Sequence, residues 1–132
     1  MRSRYEAIVG AGMPYLVAVI DARVVGYGYA SAFRTRSAYR YTLENSIYID
    51  PRALGQGVGT ALLDELIVRC RKGPWRQMLA VIGDSANAAS IGVHRKAGFR
   101  QVGLFERVGY KHGRWVDSVI MQLELSPADP DS

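Results

Sequence analysis

Three glycines at alternate positions, Gly55, Gly57 and Gly59, lie between a segment with strand periodicity and a segment with helix periodicity. Before them, residues 41–49 alternate apolar and polar side chains, which predicts a strand with one solvent-facing side. After them, residues 60–71 carry apolar side chains at helical spacing, which predicts an amphipathic helix. The fold must therefore accommodate a strand, a glycine loop and a helix in immediate succession.

The glycine loop has the composition of an anion-binding site. Without Cβ atoms in the way, its backbone N–H groups and the dipole of the following helix can hold a phosphate. The loop lacks the Gly-Lys-Ser/Thr sequence of a Walker A motif, and its spacing differs from the dinucleotide-binding fingerprint. On these residues alone, an anion cradle and a flexible strand-to-helix turn are equally supported.

The remaining segments predict a mixed sheet of the α+β class. The predicted elements are a hairpin from residues 15–20 and 24–30, a buried strand at 78–82, a helix at 87–97 capped by Asp84 or Ser85, and a second hairpin from 99–108 and 116–125. A helical crossover from the third strand to the fourth would make those two strands parallel neighbours. Ligands bind at the carboxyl ends of strands at such a junction, and the glycine loop lies there.

Length and composition limit the possible functions. We expect one domain over residues 1–132, with a short remnant at 1–14 before the first strand and a polar tail at 126–132. The net charge of +5 suits an anionic partner. We do not expect that partner to be nucleic acid, because the basic residues are scattered and no aromatic stacking platform accompanies them.

The cysteine count and the N-terminus favour a cytoplasmic location. Cys70 is the single cysteine, so no disulfide can form within one chain, and no Cys/His pair has the spacing of a zinc site. We therefore expect no metal. Glu6 and Pro14 interrupt the signal-like start, and no apolar run approaches the roughly 20 residues of a membrane span.

Several segments resemble a known enzyme family. Residues 47–63 resemble motif A of the GNAT superfamily of acyl-CoA N-acyltransferases, and residues 87–99 resemble its motif B. The segments most similar to the phosphinothricin and methionine sulfoximine acetyltransferase branch are 40–49, 80–94 and 111–117. This resemblance implies the GNAT fold, with a mixed, mostly antiparallel sheet and two helices in the retained part, and with the N-terminal strand and helical pair largely missing.

The resemblance also implies a reaction and a set of binding residues. The reaction is direct transfer of an acetyl group from acetyl-CoA to the amine of a small acidic amino acid analogue, such as phosphinothricin or methionine sulfoximine. The residues implied to bind the cofactor are Ile47, Tyr48, Ile49, Gly55, Gln56, Gly57, Val58, Gly59, Thr60 and Asn87. Those implied to bind the acceptor substrate are Arg34, Thr35, Arg36, Glu44, Asn45 and Ser46.

Two residues are candidates for catalysis. Glu44 lies on the polar side of its strand, where a carboxylate could take the proton that an amine loses on attack, and the alternative is a solvated strand residue. His94 could protonate the departing thiolate, or it could simply pack within its helix. The resemblance favours the catalytic role of Glu44. A main-chain N–H near Ile49 is the candidate donor to the oxyanion, provided that the third and fourth strands diverge.

The sequence departs from the family pattern at two places. Leu54 occupies a position where Gln or Arg is usual, which removes a side-chain donor from the pyrophosphate site unless Gln56 or Arg52 replaces it. The segment before the first strand is also short, which should uncover apolar surface and an edge strand and so favour a homodimer. An alternative function follows from the short start: a truncated CoA-binding protein with little or no catalytic activity.

Overall fold

A computed structural model describes residues 2–34, 36–84 and 87–126. Three helices and six strands follow one another along the chain. Their order is α1 (Arg2–Gly10), β1 (Tyr15–Ile20), β2 (Arg23–Ala32), β3 (Thr42–Ile49), α2 (Val58–Arg71), β4 (Gln77–Ile82), α3 (Ala88–Lys96), β5 (Arg100–Lys111) and β6 (Arg114–Glu124). Single 3-10 turns at Ser37–Tyr39 and Pro51–Ala53 precede β3 and α2.

The strands form one mixed sheet in the order β1-β2-β3-β4-β6-β5. All neighbours are antiparallel except β3 and β4, which are parallel. The α+β class and the parallel junction predicted from the sequence are therefore confirmed. The predicted first hairpin is also present, and its turn residues Asp21 and Ala22 have φ values of 51° and 63°, as a tight turn between twisted strands requires.

The parallel pair of strands separates partway along its length. Pairing between β3 and β4 runs from Thr42 opposite Gln77 to Glu44 opposite Leu79. Beyond that point β3 continues to Ile49 and β4 to Ile82, and the described residues form no further rungs. The strands therefore diverge toward their carboxyl ends and leave a wedge in the sheet.

Helix α2 closes one face of the sheet. Its apolar positions Leu62, Leu63, Leu66, Ile67 and Cys70 are all buried, as their helical spacing predicts. Leu63 and Leu66 pack with core side chains from β3, β4 and β6. Burying one such side chain contributes about 1.5–3 kcal/mol, so this contact fixes the glycine loop at the N-terminus of α2 relative to the wedge.

Two local expectations require correction. The cap of α3 is Asn87, whose side chain accepts a hydrogen bond from Ser90 N at 3.1 Å. Asp84 does not fill this role, because it lies too far upstream and its Oδ2 pairs with the Arg114 guanidinium at 2.8 Å. Ser85, the other expected cap, lies outside the described residues.

The N-terminal segment is a helix that the sequence did not predict. Helix α1 adds a third helix to the two expected in the retained part, and Ile8 on it is buried. At the other end, residues 127–132 of the expected polar tail lie outside the described residues. No helix within the described ranges is long and apolar enough to cross a membrane.

Candidate active site

Two cavities open at the wedge between β3 and β4. The loop cavity, of about 460 Å³, lies between the glycine loop and α3, and its lining includes Ile47, Ile49, Ala53, Leu54, Gly55, Gly57, Val58, Gly59, Thr60, Asn87, Ala89, Ser90, Val93 and His94. The strand cavity, of about 280 Å³, lies between the diverging strands, and its lining includes Glu44, Asn45, Ser46, Tyr48, Ile82 and Gly83. The cavities share Ile47, Asn87, Ser90 and His94 in their linings, so they adjoin one another.

The glycine loop presents its backbone to the loop cavity. Gly55 and Gly57 have φ values of +80° and +78°, a conformation that L side chains rarely adopt. A Cβ on either residue would meet no protein atom within 4 Å, so the space beside them is open. Gly57 also caps α2 without a side-chain hydrogen bond. The helix therefore begins with backbone N–H groups and a positive dipole end at the cavity, which is the arrangement that binds phosphate groups.

The third glycine of the loop has a different role. A Cβ on Gly59 would lie 3.7 Å from Val93 Cγ2 and 3.8 Å from Ile49 Cδ1. This glycine therefore lets α2 approach α3 and β3 closely. Gly55 and Gly57 therefore have the open geometry that an anion cradle needs, whereas Gly59 serves the packing of α2.

No Asp, Glu, Lys or Arg side chain is present among the described residues that line the loop cavity. Leu54 lines it and is 62% exposed. Arg52 and Gln56 line a different cavity, of about 340 Å³, together with Asp21 and Arg23. The Arg52 guanidinium is held by Asp50, with Nη2 3.0 Å from Oδ2. The structure therefore places neither Arg52 nor Gln56 where it could replace the donor that is missing at Leu54.

Glu44 is the one carboxylate among the described residues of the strand cavity. It is half-buried at the last rung between β3 and β4, opposite Leu79. Burial raises the pKa of its carboxyl group above the ordinary value, which makes the carboxylate a stronger base than an exposed glutamate. The strand alternation that predicted a polar face thus places Glu44 where an amine in the cavity could meet it.

His94 lies at the boundary of the two cavities and is 4% exposed. Its Nδ1 is 2.8 Å from Ser90 O, and its Nε2 is 3.1 Å from Asn45 Oδ1. The ring also contacts Phe99 edge to face, with 5.0 Å between centroids. Burial lowers the pKa of the imidazole, and the hydrogen bond to the Ser90 carbonyl partly offsets this effect.

Asn45, which the resemblance implies as a substrate ligand, is buried on the apolar side of β3 and lines the strand cavity. Its Nδ2 donates to Leu79 O at 3.5 Å and its Oδ1 faces His94. Position 45 alternates with Leu43 and Ile47, so its inward direction could have been inferred from the strand pattern. Ser46, by contrast, has the same orientation as Glu44.

The basic loop before β3 does not contribute to either cavity among the described residues. The Arg34 guanidinium carbon lies 4.7 Å from the Phe33 ring centroid, and Arg36 is exposed at the start of the 3-10 turn. Thr35, the third residue predicted there, lies outside the described residues.

A row of tyrosines on the same sheet face as Glu44 was not predicted. Tyr15 stacks on Tyr29 at 5.3 Å, and Tyr27 stacks on Tyr48 at 4.8 Å between centroids. Tyr27 and Tyr29 are two residues apart, which places them on one face of β2 and could have been read from the sequence. Their stacking partners Tyr15 and Tyr48 depend on the register of the neighbouring strands.

Two alternative chemistries find no support in the described residues. No group of three or more His, Cys, Asp or Glu residues there could hold a metal ion. Cys70 is fully buried in the core, and burial raises the pKa of its thiol to about 12. A thiol in that state is not a nucleophile at neutral pH.

Comparison with known proteins gives consistent matches. The family described as "Acetyltransferase (GNAT) family" matches residues 2–99. Phosphinothricin N-acetyltransferase from Alcaligenes faecalis is 54% identical over 98% of this chain, and L-methionine sulfoximine/L-methionine sulfone acetyltransferase from Pseudomonas paraeruginosa is 42% identical over 93% of it. The chain spans 66% and 72% of the length of those two proteins.

The fold also matches solved structures. A GNAT superfamily phosphinothricin acetyltransferase from Sinorhizobium meliloti, crystallised with AcCoA, superposes with a TM-score of 0.90 at 50% identity. That match covers 94% of this chain and 67% of the other.

Proposed function

The chain belongs to the GNAT acetyltransferase family, and we propose that it transfers the acetyl group of acetyl-CoA to the amine of a small acidic amino acid analogue of the phosphinothricin or methionine sulfoximine type. The observation that carries this proposal is the adjacency of the two cavities, with the glycine loop at one end and Glu44 at the other. A donor held by the loop would extend toward His94 and meet an amine beside Glu44.

The loop cavity suits the phosphate end of acetyl-CoA. Gly55 and Gly57 leave open space that a Cβ would occupy, and the first turn of α2 adds backbone N–H donors. Ile47 and Ile49 line the same cavity along the unpaired part of β3, where a pantetheine arm could pair with the backbone in place of the missing strand. Asn87 lies at the far wall, although its side-chain oxygen already caps α3.

Glu44 is the proposed general base. The amine of a free amino acid is almost entirely protonated at pH 7, so it must lose a proton before it can attack the thioester. When the neutral amine attacks the thioester carbon, a C–N bond forms and one N–H proton passes to the Glu44 carboxylate. The raised pKa of this half-buried carboxyl group favours its acceptance of that proton.

The oxyanion formed on attack needs a donor in the wedge. Along a strand, the N–H groups of successive residues point alternately toward the neighbouring strand on one side and on the other. Asp50 N donates to Val25 O on β2 at 2.8 Å, so the N–H of Ile49 points to the opposite side, toward the wedge. This alternation supports Ile49 N–H as the proposed oxyanion donor.

Collapse of the tetrahedral intermediate breaks the C–S bond and leaves the electron pair on sulfur. A thiol has a pKa near 8.5, so the thiolate leaves readily and accepts a proton without strong assistance. His94 is the proposed donor of that proton, since it borders both cavities. Its contribution to the rate is therefore smaller than that of Glu44.

The acidic group of the acceptor is assigned to the loop between β2 and β3. Ser31 pairs with Glu44, and Phe33 N donates to Thr42 O at 3.2 Å, so the loop that carries Arg34 and Arg36 begins within a few residues of the rung that carries the base. Guanidinium groups bind carboxylates and phosphinates through paired N–H donors. We include Thr35 and Ser46 in this proposal as uncharged ligands.

We further propose a cytoplasmic homodimer. The edge strand β5 and the start of β6 expose large apolar side chains. Phe105, Tyr110 and Trp115 are 57%, 63% and 61% exposed. Such a surface favours association, and light scattering after size-exclusion chromatography measures it directly. A monomer at all concentrations would contradict the dimer.

A thiol-release assay tests the function. Acetyl-CoA is offered with phosphinothricin, methionine sulfoximine, a polyamine and an arylamine, and free thiol is detected with a disulfide reagent. The buried thiol of Cys70 should add no background. Release with the acidic analogues, and loss of it in Glu44→Gln, is the expected result. Release only with a non-acidic amine would contradict the roles of Arg34 and Arg36.

The same assay separates the catalytic proposal from the alternative of a CoA-binding protein without turnover. Such a protein would be stabilised against heat by CoA but would release no thiol with any amine. Glu44 and His94 both line the wedge, so the described structure offers no observation that favours this alternative.

A further inference from the structure

We propose that Asn45 is a positioning residue for His94: its amide oxygen holds a proton on Nε2, so that the imidazole that borders the wedge is a proton donor. The inference rests on the proposed acetyl transfer for its role in the reaction. The hydrogen-bond geometry that supports it is independent of any substrate. A direct role of Asn45 in binding the acceptor is thereby replaced by a role exerted through His94.

The argument begins with the two ends of a hydrogen-bond chain. The chain runs from Ser90 O through the His94 ring and the Asn45 amide to Leu79 O. Both ends are backbone carbonyl oxygens, which only accept hydrogen bonds. Nδ1 at 2.8 Å from Ser90 O must therefore carry a proton, and the amide must direct its NH₂ group to Leu79.

This orientation determines what Nε2 meets. With its NH₂ group toward Leu79, the Asn45 amide presents Oδ1 to Nε2 at 3.1 Å. An oxygen in that position is satisfied only by an N–H donor, so the chain is complete when both ring nitrogens are protonated. If the ring were neutral, the lone pair of Nε2 would face the lone pairs of Asn45 Oδ1. Turning the Asn45 amide would remove that repulsion, but it would place the amide oxygen against the Leu79 carbonyl oxygen.

Burial acts in the opposite direction. His94 and Asn45 are 4% and 6% exposed, and removal from water disfavours the imidazolium form. Glu44 and Tyr48 are the ionisable side chains besides His94 among the described residues of the two cavities, and Glu44 is the one carboxylate. The Asn45 oxygen therefore offsets part of the cost of burying the charged ring, and Glu44 adds to this effect when ionised.

In the reaction, the proton at Nε2 has a defined fate. When the C–S bond breaks, the thiolate takes the Nε2 proton and becomes the free thiol of CoA, and the ring becomes neutral. The Nε2 lone pair then faces Asn45 Oδ1, which favours uptake of a proton from water. The amine proton held on Glu44 leaves separately to solvent, so protons and charges balance over the cycle.

The test measures the His94 pKa by NMR, without substrate. The chain contains two histidines, so His112→Asn leaves one imidazole signal. Asn suits that turn because His112 has a φ of 53°, which Asn tolerates. Asn45→Asp should raise the His94 pKa by about one unit or more, and the isosteric Asn45→Leu should lower it by about half a unit to one unit.

A purely structural role for Asn45 would change stability but leave the pKa unchanged. If Asn45→Leu does not fold, Asn45→Ser takes its place, since the shorter side chain also withdraws its oxygen from Nε2 and should lower the pKa. A His94 pKa within about 0.3 units of the parent in both the acidic and the neutral variant would overturn the proposal.

The kinetic readout separates the two proposals. In the pH profile of kcat, the pKa of the basic limb should shift together with the His94 pKa measured by NMR. It should rise in Asn45→Asp and fall in Asn45→Leu. If no amine releases thiol but the pKa shifts as expected, the proposed function fails and the positioning role stands. If acetyl transfer occurs and the pKa does not shift, the positioning role fails alone.

Discussion

Replacing Gly57 by alanine tests the anion cradle against simple backbone strain. Gly57 has a φ of +78°, so alanine there costs about 1–2 kcal/mol of stability, because its Cβ approaches the following carbonyl oxygen. For a domain of this size that corresponds to a decrease in Tm of about 4–8 °C. No protein atom lies within 4 Å of the new Cβ. Any further effect must therefore come from a ligand.

The effect on ligand binding is expected to be larger than the effect on stability. The new methyl group would occupy the space where a phosphate oxygen meets the backbone N–H groups of α2. Losing one hydrogen bond to a charged group costs about 1.5–3 kcal/mol, which raises the Kd for CoA by about 10- to 150-fold. Isothermal titration calorimetry on the folded variant measures this change.

Gly12 provides a matched control. It has a φ of +79°, and a Cβ there also meets no atom within 4 Å, but it lies in the turn between α1 and β1, away from the loop cavity. Gly12→Ala should lose similar stability and bind CoA like the parent. Equal Kd values for the two variants would refute the cradle, whether both bind as the parent does or both bind weakly.

Three further predictions concern the wedge and its rim. Glu44→Gln should lower kcat by about 10²- to 10⁴-fold and His94→Ala by less, and steady-state kinetics on folded variants would contradict these roles if the order were reversed. Burial raises the pKa of Glu44 above 4.5, so the native state holds this proton more tightly than the unfolded state and stability falls as pH rises through the folded pKa. Glu44→Gln should therefore have a higher free energy of unfolding than the parent above about pH 4.5 and no advantage below it. Chemical unfolding of both proteins at pH 4 and pH 8 measures this difference, and an equal difference at the two pH values would contradict the prediction. Leu54→Arg should lower the Kd for CoA about tenfold by adding a charge-assisted donor beside the loop, and an unchanged Kd would show that the backbone alone sets the affinity.

The sequence was informative wherever the determinant is local. Alternation over residues 42–49 and helical spacing from Leu62 to Cys70 identify β3 and α2 because each pattern reports which side of one element meets the core. The glycines of the intervening loop predict a backbone without obstructing Cβ atoms, and the open space beside Gly55 and Gly57 agrees with this. From these elements the parallel junction follows by the handedness of a helical crossover.

The sequence was less informative about features that depend on distant partners. The point at which β3 leaves β4 is a property of two strands that are distant in sequence, and no pattern within β3 predicts it. The stacking of Tyr15 on Tyr29 depends on hairpin register in the same way. Helix α1 has a weak apolar pattern and few contacts with the sheet, so its sequence resembled a remnant more than an element.

Asn45 shows what strand position adds to a family resemblance. The resemblance implies a substrate ligand at this position, and alternation with Leu43 and Ile47 directs its side chain to the buried face. A buried amide must find partners there, because an unsatisfied polar group costs about 1–3 kcal/mol. Asn45 finds them in His94 and the Leu79 carbonyl. Leu79 is at the last rung before the strands diverge, so the Asn45 amide connects the start of the wedge to His94 Nε2. A substitution that moves this rung should therefore also change the protonation of His94.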